Sequence, residues 1–139
     1  MDMPLVAVDG SKTNLEQFQG KWVVVNYWAT WCPPCIAEMP ELQSFHDDHA
    51  DKDAIVIGIN AELISQQRLL TFLDDYFITY PIFLSKPGEQ SELGLMPGLP
   101  TTFLVSPQGD VVARQIGAVT REMLEQFIQN WKPRQNAAN

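Results

Sequence analysis

Cysteine and histidine are scarce in this chain, whose 139 residues include two of each. The cysteines, Cys32 and Cys35, are two residues apart, and a disulfide across so short a loop constrains little of the unfolded chain. A structural staple is therefore excluded as their role. A pair at this spacing, in a chain with no other cysteine, is typical of a redox site or of half a metal site.

Basic residues and long apolar runs are also lacking. Nine Lys and Arg face 17 Asp and Glu, and the net charge of −8 repels nucleic acid and anionic membranes, so we expect neither as a partner. No apolar run approaches the roughly 20 residues that span a bilayer. The start, Met1-Asp2-Met3-Pro4, lacks the basic and apolar segments of a signal peptide. It fits a cytosolic protein or a mature domain from which a signal or anchor was trimmed.

The apolar pattern predicts a single α/β domain over residues 1–139, because no repeat, low-complexity tract or linker divides the chain. The β-branched run inside Trp22–Trp28 predicts a strand buried on both faces, as in sheets covered by helices. Val111–Ile116 is expected to pair antiparallel with the strand before it, across a turn at 106–109. The other strands are expected at Leu5–Val8, Ala54–Asn60, Thr79–Leu84 and Thr101–Val105.

Helical periodicity predicts three long helices, one following Cys35 and two beginning after N-caps at Ser65 and Thr120. Pro40 should kink the first of them, since its ring clashes with the carbonyl four residues back. Short helices are expected at Leu15–Phe18 and Glu89–Leu95, and the tail from Lys132 onward should be frayed. The inner face of the last long helix is expected to carry Met123, Leu124, Phe127, Ile128 and Trp131.

Cys32 and Cys35 lie where the predicted strand Trp22–Trp28 is followed by a helix, and this position suits a redox pair. The unpaired N–H groups of a helix N-terminus favour a thiolate, and the pKa of such a leading cysteine falls from about 8.5 to between about 3.5 and about 7.5. Pro33 and Pro34 fit the first turn, where a missing N–H costs no hydrogen bond. Cys32 is therefore predicted to attack a partner's disulfide, and Cys35 to resolve the mixed disulfide.

Zinc is the competing interpretation, because His46 and His49 follow the cysteines in an order that resembles a two-Cys, two-His finger. Three features oppose it. The cysteines follow an apolar strand, Pro40 lies between the pairs, and the rise of one helix puts the histidines about 16 Å beyond Cys35. We therefore expect no metal site and interpret both histidines as solvated helix residues.

Three separated segments resemble one known family. Trp31-Cys32-Pro33-Pro34-Cys35 is similar to the redox motif of the thioredoxin fold, and Leu99-Pro100-Thr101-Thr102-Phe103 is similar to its cis-proline loop. The span 74–98 resembles the central insertion of TlpA-like, ResA/DsbE-type thiol–disulfide oxidoreductases. The resemblance extends from about residue 5 to residue 131. It implies a thioredoxin fold, with a central mixed β-sheet flanked by helices, an N-terminal β extension and this insertion.

The resemblance also implies roles for residues near the cysteines. Glu38, three residues after Cys35, would be a catalytic acid–base group whose pKa burial must raise. The peptide bond before Pro100 would be cis, and the backbone of Leu99 would pair with an extended substrate. Trp31 is expected to be partly exposed as an apolar platform for partners. The expected substrate-binding residues are Trp31, Pro33, Pro34, Leu99 and Pro100.

Asn26 is a departure from thioredoxin, which has a buried aspartate in the strand before its motif. Because asparagine cannot carry a proton, acid–base help for Cys35 must come from Glu38 or water. This departure agrees with the TlpA-like resemblance. Trp28 is expected in the core, and Trp22 and Trp131 are interpreted as packing residues.

The resemblance implies a thiol–disulfide oxidoreductase that needs no bound cofactor and exchanges electrons with protein disulfides and an upstream redox partner. We expect a monomeric reductase in the bacterial periplasm or on an extracytoplasmic face, with the cytoplasm less favoured and cytochrome c maturation as a candidate process. A disulfide-forming oxidant is the alternative. A copper metallochaperone would want a late histidine, and none follows His49. A peroxidase would have a Thr-x-x-Cys loop, whereas Thr30 stands two residues before Cys32.

Overall fold

The computed structural model describes residues 2–132, and this part of the chain forms seven strands and three α-helices. A 3₁₀ helix at Leu15–Phe18 precedes the third strand. In chain order the elements are β1 (Pro4–Val6), β2 (Lys12–Asn14), β3 (Trp22–Trp28), α1 (Pro33–His49), β4 (Ala54–Ala61), α2 (Gln66–Asp75), β5 (Ile82–Ser85), β6 (Thr101–Val105), β7 (Val111–Ile116) and α3 (Arg121–Asn130).

A five-stranded mixed sheet in the order β5-β4-β3-β6-β7 forms the centre of the fold. β3 pairs parallel with β4 and antiparallel with β6, so that Val25 lies between Ile57 and Phe103. β3 and β4 are buried along their whole length, as their apolar runs predict. β1 and β2 form the expected N-terminal extension, an antiparallel hairpin.

The two faces of the sheet are covered differently. The even-numbered side chains of β3 pack with residues from all three helices, including Leu42, Leu69 and Leu124. The odd-numbered side chains pack beneath the N-terminal hairpin and the 3₁₀ helix, whose buried residues are Met3, Leu5 and Leu15. Asn26 belongs to the even-numbered set, so its side chain lies on the face that the helices cover.

The helix N-caps are those expected from the sequence. The hydroxyl of Ser65 accepts a hydrogen bond from the backbone N–H of Arg68, and that of Thr120 accepts one from Met123. Helix α1 continues through Pro40. On α3, Leu124 is buried as expected. Met123 is 42% exposed, so the prediction that it lies on the inner face was wrong. The predicted frayed tail lies beyond Lys132, outside the described residues.

The short helix expected at Glu89–Leu95 is absent from the described structure, which has a tight turn bridged between Ser91 and Gly94 there. The hydroxyl of Ser91 accepts hydrogen bonds from the backbone N–H of Leu93 and from the hydroxyl of Tyr27. Gly94 has φ = +155°, which side chains of L-residues rarely allow. The serine thus offers the backbone a local alternative to helical bonds.

The two histidines are not the solvated residues that the sequence indicated. His46 is half-buried, and its Nδ1 accepts a hydrogen bond of 3.1 Å from the backbone N–H of Val56. His49 stacks on Phe45 at 4.3 Å between ring centroids and contacts the Glu125 carboxylate at 2.9 Å. Both rings therefore stabilise the packing of α1 against its neighbours.

Candidate active site

The cysteine pair lies at the junction of β3 and α1, as predicted. Cys32 is the N-cap of α1 with an extended backbone, φ = −101°, and Pro33 begins the helix. Cys32 and Cys35 form a disulfide. The Sγ of Cys32 accepts a hydrogen bond of 3.3 Å from the backbone N–H of Cys35. A negative sulfur at Cys32 would occupy the position where the helix N-terminus stabilises charge.

Both cysteines of the disulfide are covered by the rest of the protein. Cys35 is fully buried, and Cys32 is only 3% exposed. Trp31 beside it is 67% exposed, which confirms the expected exposure of its side chain, and Pro33 and Pro34 are also exposed. An exposed apolar tryptophan and two exposed prolines thus flank a nearly covered sulfur in the sequence.

Glu38 is buried in the core, 1% exposed, one helical turn after Cys35. Its Oε2 accepts a hydrogen bond of 2.7 Å from Asn26 Nδ2, and its Oε1 accepts one of 3.2 Å from the backbone N–H of Val119. Burial raises the pKa of Glu38 to about 7, although both hydrogen bonds act to lower it. A carboxyl with this pKa both takes and gives a proton near neutral pH.

Asn26 and Thr102 extend this buried polar cluster. They lie opposite each other in the antiparallel register of β3 and β6, and both are 1% exposed. Asn26 Nδ2 donates to Thr102 Oγ1 at 3.0 Å as well as to Glu38. Tyr80, which is 3% exposed, is a titratable neighbour of Glu38. Its burial raises the pKa of its phenol, and the charge of Glu38 adds to that rise.

The loop before β6 carries the cis-proline expected from the resemblance. The Leu99–Pro100 peptide bond is cis, which confirms that prediction. Pro100 is buried, Leu99 is half-buried, and the Pro100 carbonyl accepts a hydrogen bond of 2.9 Å from Gly117 N–H.

Trp31, the residue before Cys32, and Leu99 line one groove with a volume of about 250 Å³. Its other walls are formed by Ala61 and by residues 87–90 and 96–98. The structure thus brings two of the expected substrate-binding residues together. Pro33 and Pro34 lie outside the groove lining, and so does the buried Pro100.

Glu62 was missed by the sequence analysis. Its carboxylate accepts hydrogen bonds from the backbone N–H and the hydroxyl of Thr30 at 2.6 and 2.8 Å, and from Asn60 Nδ2 at 2.8 Å. These bonds hold the bend between β3 and Cys32. The position of Glu62 in the sequence could have indicated this contact, because Glu62 directly follows β4. Since β4 runs parallel to β3, both strands end at the same edge of the sheet.

The described part of the chain, residues 2–132, has no group of three or more His, Cys, Asp or Glu side chains placed to hold a metal ion. None of its helices combines the length and apolar character needed to cross a bilayer.

Comparison with known proteins gives a consistent set of relatives. The model of the AhpC/TSA family matches residues 1–114. The chain is 35% identical over 132 residues to the thiol-disulfide oxidoreductase ResA of Oceanobacillus iheyensis, a match that covers 93% of this chain and 67% of that protein.

Solved structures show the same fold. A DsbF homologue from Corynebacterium diphtheriae aligns with a TM-score of 0.81 and 29% identity, over 94% of this chain and 84% of that one. A secreted thiol-disulfide isomerase from Corynebacterium glutamicum aligns with a TM-score of 0.78 and 25% identity, over 91% and 80%. The thioredoxin fold expected from the three motifs is confirmed.

Proposed function

The chain belongs to the AhpC/TSA family and is a thioredoxin-fold thiol–disulfide oxidoreductase similar to ResA, and we propose that it works as a reductase of protein disulfides. The Cys32 thiolate attacks one sulfur of a partner's disulfide and releases the partner's other sulfur as a thiolate. Cys35 then attacks Cys32 Sγ and releases the second partner thiolate. Two electrons pass to the partner, and an upstream dithiol protein reduces the Cys32–Cys35 disulfide again.

The observation that carries this proposal is the buried Glu38 carboxyl, one turn from Cys35. A fully buried thiol does not ionise easily, so Cys35 needs a base when it must attack. Glu38, with its pKa raised to about 7, accepts the Cys35 proton and later returns it.

We assign client binding to the groove that Trp31 and Leu99 share. Trp31 offers an exposed apolar surface next in sequence to the attacking Cys32, and the exposed Pro33 and Pro34 follow that cysteine outside the groove. The backbone of Leu99, before the buried Pro100, pairs with an extended client segment. Clients are therefore polypeptides with a disulfide in an accessible extended stretch.

The remaining elements of the proposal rest on the relatives. The secreted isomerase of Corynebacterium glutamicum supports an extracytoplasmic location for this domain, in the periplasm or on an outer face. The similarity to ResA supports a role in keeping client cysteines reduced, with apocytochrome c as one such client. We propose a monomer that meets its partners transiently.

The reduction potential of the Cys32–Cys35 pair tests the direction of electron flow. Equilibration in a thiol/disulfide buffer should give a value near that of thioredoxin, about −270 mV, as a donor of electrons requires. A value near about −120 mV would instead identify a disulfide-forming oxidant.

Cysteine and glutamate variants test the assigned roles. Cys32→Ser should abolish exchange, and Cys35→Ser should accumulate mixed disulfides with clients, seen as non-reducing gel shifts. Glu38→Gln should slow client reduction without unfolding the domain. Full activity in either cysteine variant would contradict the mechanism.

A further inference from the structure

Glu38 is held by donors on both of its oxygens. Asn26 Nδ2 donates to Oε2 at 2.7 Å, and the backbone N–H of Val119 donates to Oε1 at 3.2 Å. A carboxylate is an acceptor only, so this arrangement satisfies the charged form of Glu38 inside the core. Burial acts in the opposite direction, since it favours the neutral acid.

The Asn26 amide can present only one orientation to this site. Its Nδ2 must face Glu38, because an amide oxygen pointed at a carboxylate would set two acceptors against each other. The second hydrogen of Nδ2 goes to Thr102 Oγ1 at 3.0 Å. Thr102 thus occupies the other N–H and keeps the amide from rotating away.

We propose that Asn26 and Thr102 are positioning residues that hold Glu38 as the proton acceptor for Cys35, an inference that rests on the proposed role of Glu38. The hydrogen bonds of the Asn26 side chain go to Glu38 and Thr102, and its amide does not titrate. Asn26 acts by stabilising the Glu38 carboxylate, and Thr102 acts by fixing Asn26. Glu38 follows Cys35 by one turn on its own helix, and the buried phenol of Tyr80 is near enough for the charge of Glu38 to raise its pKa.

The hydrogen bond from Asn26 has a predictable effect. A bond to a charged acceptor is about twice as strong as a neutral one, so its loss raises the pKa of the carboxyl. We expect a rise of about one pH unit, equivalent to roughly tenfold tighter proton binding.

The test follows the Cys35 step directly. Reduced protein reacts with 5,5′-dithiobis(2-nitrobenzoic acid), and Cys32 releases one thionitrobenzoate as it forms a mixed disulfide. Attack by Cys35 then releases a second thionitrobenzoate, and stopped-flow absorbance resolves this phase. In the wild-type protein, the rate of this second phase should increase with pH, and the midpoint of the increase should lie near the pKa of Glu38.

Two isosteric substitutions and one rescue define the expected result. Asn26→Leu and Thr102→Val should each move the midpoint upward, Asn26→Leu by about one pH unit. Thr102→Ser keeps the hydroxyl and should retain the wild-type midpoint. Adding Asn26→Leu to Glu38→Gln should leave the profile as in Glu38→Gln alone, because no carboxylate remains to be stabilised.

The outcomes separate this inference from the proposed function. If the second phase has the same pH profile in wild type and in Glu38→Gln, its midpoint does not depend on Glu38. That result would refute both the role of Glu38 as a base and the inference about Asn26 and Thr102. If Glu38→Gln changes the midpoint but Asn26→Leu does not, the inference about Asn26 and Thr102 is overturned and the role of Glu38 as a base remains. If circular dichroism shows that Asn26→Leu does not fold, the Thr102→Val and Thr102→Ser pair decides the question by itself.

Discussion

Replacing Glu38 with glutamine should change the pH dependence of stability more than stability itself. Burial raises the pKa of Glu38 from 4.5 to about 7, against the hydrogen bonds from Asn26 and Val119 that lower it. Each pKa unit corresponds to about 1.4 kcal/mol, so ionised Glu38 costs the folded state about 3 kcal/mol relative to the protonated form.

The sign follows from which state binds the proton more tightly. Between about pH 4.5 and about pH 7 the folded protein keeps a Glu38 proton that the unfolded chain has released. The free energy of unfolding therefore falls as the pH rises through this window. The contribution is fully present below about pH 4.5 and is lost above about pH 7.

The glutamine variant has no group to titrate at this position, so it lacks this decline. Between about pH 4 and about pH 8, the stability difference between the two proteins should shift by about 3 kcal/mol in favour of Glu38→Gln. Near pH 4 the variant should be less stable by about 1 kcal/mol, because its amide nitrogen must face the Asn26 or the Val119 donor.

Urea denaturation of the oxidised proteins at a series of pH values measures this, with tryptophan fluorescence as the signal. Glu16→Gln is the matched control, since it makes the same substitution at an exposed glutamate and should leave the wild-type curve in place. Parallel curves for wild type and Glu38→Gln across the window would refute the claim that burial holds Glu38 protonated.

Four further substitutions, one of them a control, test other contacts. Gly58→Ala should destabilise the protein by about 1–3 kcal/mol in urea denaturation, because the new Cβ would lie 2.8 Å from Ile82 Cδ1 and 2.9 Å from Trp28 Nε1. Gly98→Ala, with open space around its Cβ, should change stability by less than about 0.5 kcal/mol, and an equal effect of both would contradict the packing argument. Glu62→Gln should lower the free energy of unfolding by about 1 kcal/mol and speed hydrogen exchange at the Thr30 amide, since one acceptor facing Thr30 and Asn60 is lost. Unchanged exchange would show that Glu62 does not hold the bend. Burial lowers the pKa of His49, but its hydrogen bonds to Glu125 and Asp53 outweigh this and raise it. The stabilisation from His49 is therefore present below about pH 6.5 and declines as the pH rises through the higher pKa of the folded state. His49→Gln should accordingly cost more stability near pH 5 than near pH 8, with a difference of less than about 1 kcal/mol. A cost that does not change with pH would refute the ion pair.

Local signals in the sequence determined the elements around the active site. The β-branched run predicted β3 with the bounds that the structure shows, Trp22–Trp28, because consecutive apolar residues suit a strand covered on both faces. The caps at Ser65 and Thr120 were also predictable, since each depends on a hydrogen bond to a residue three positions away. The cysteine spacing and its place at a helix start indicated redox chemistry before any contact was known.

Contacts between distant parts of the chain were decided by the tertiary structure alone. The sequence places Glu38 one turn from Cys35, but its bond to Asn26 depends on how α1 packs on the sheet, and its bond to Val119 joins residues 81 positions apart. The pairing of Asn26 with Thr102 likewise depends on the register between β3 and β6. The pKa of Glu38 follows from this burial and from these donors, and no local pattern encodes either. Short-range residue patterns specify turns, caps and strands, whereas the environment of a buried carboxyl depends on every element that packs around it.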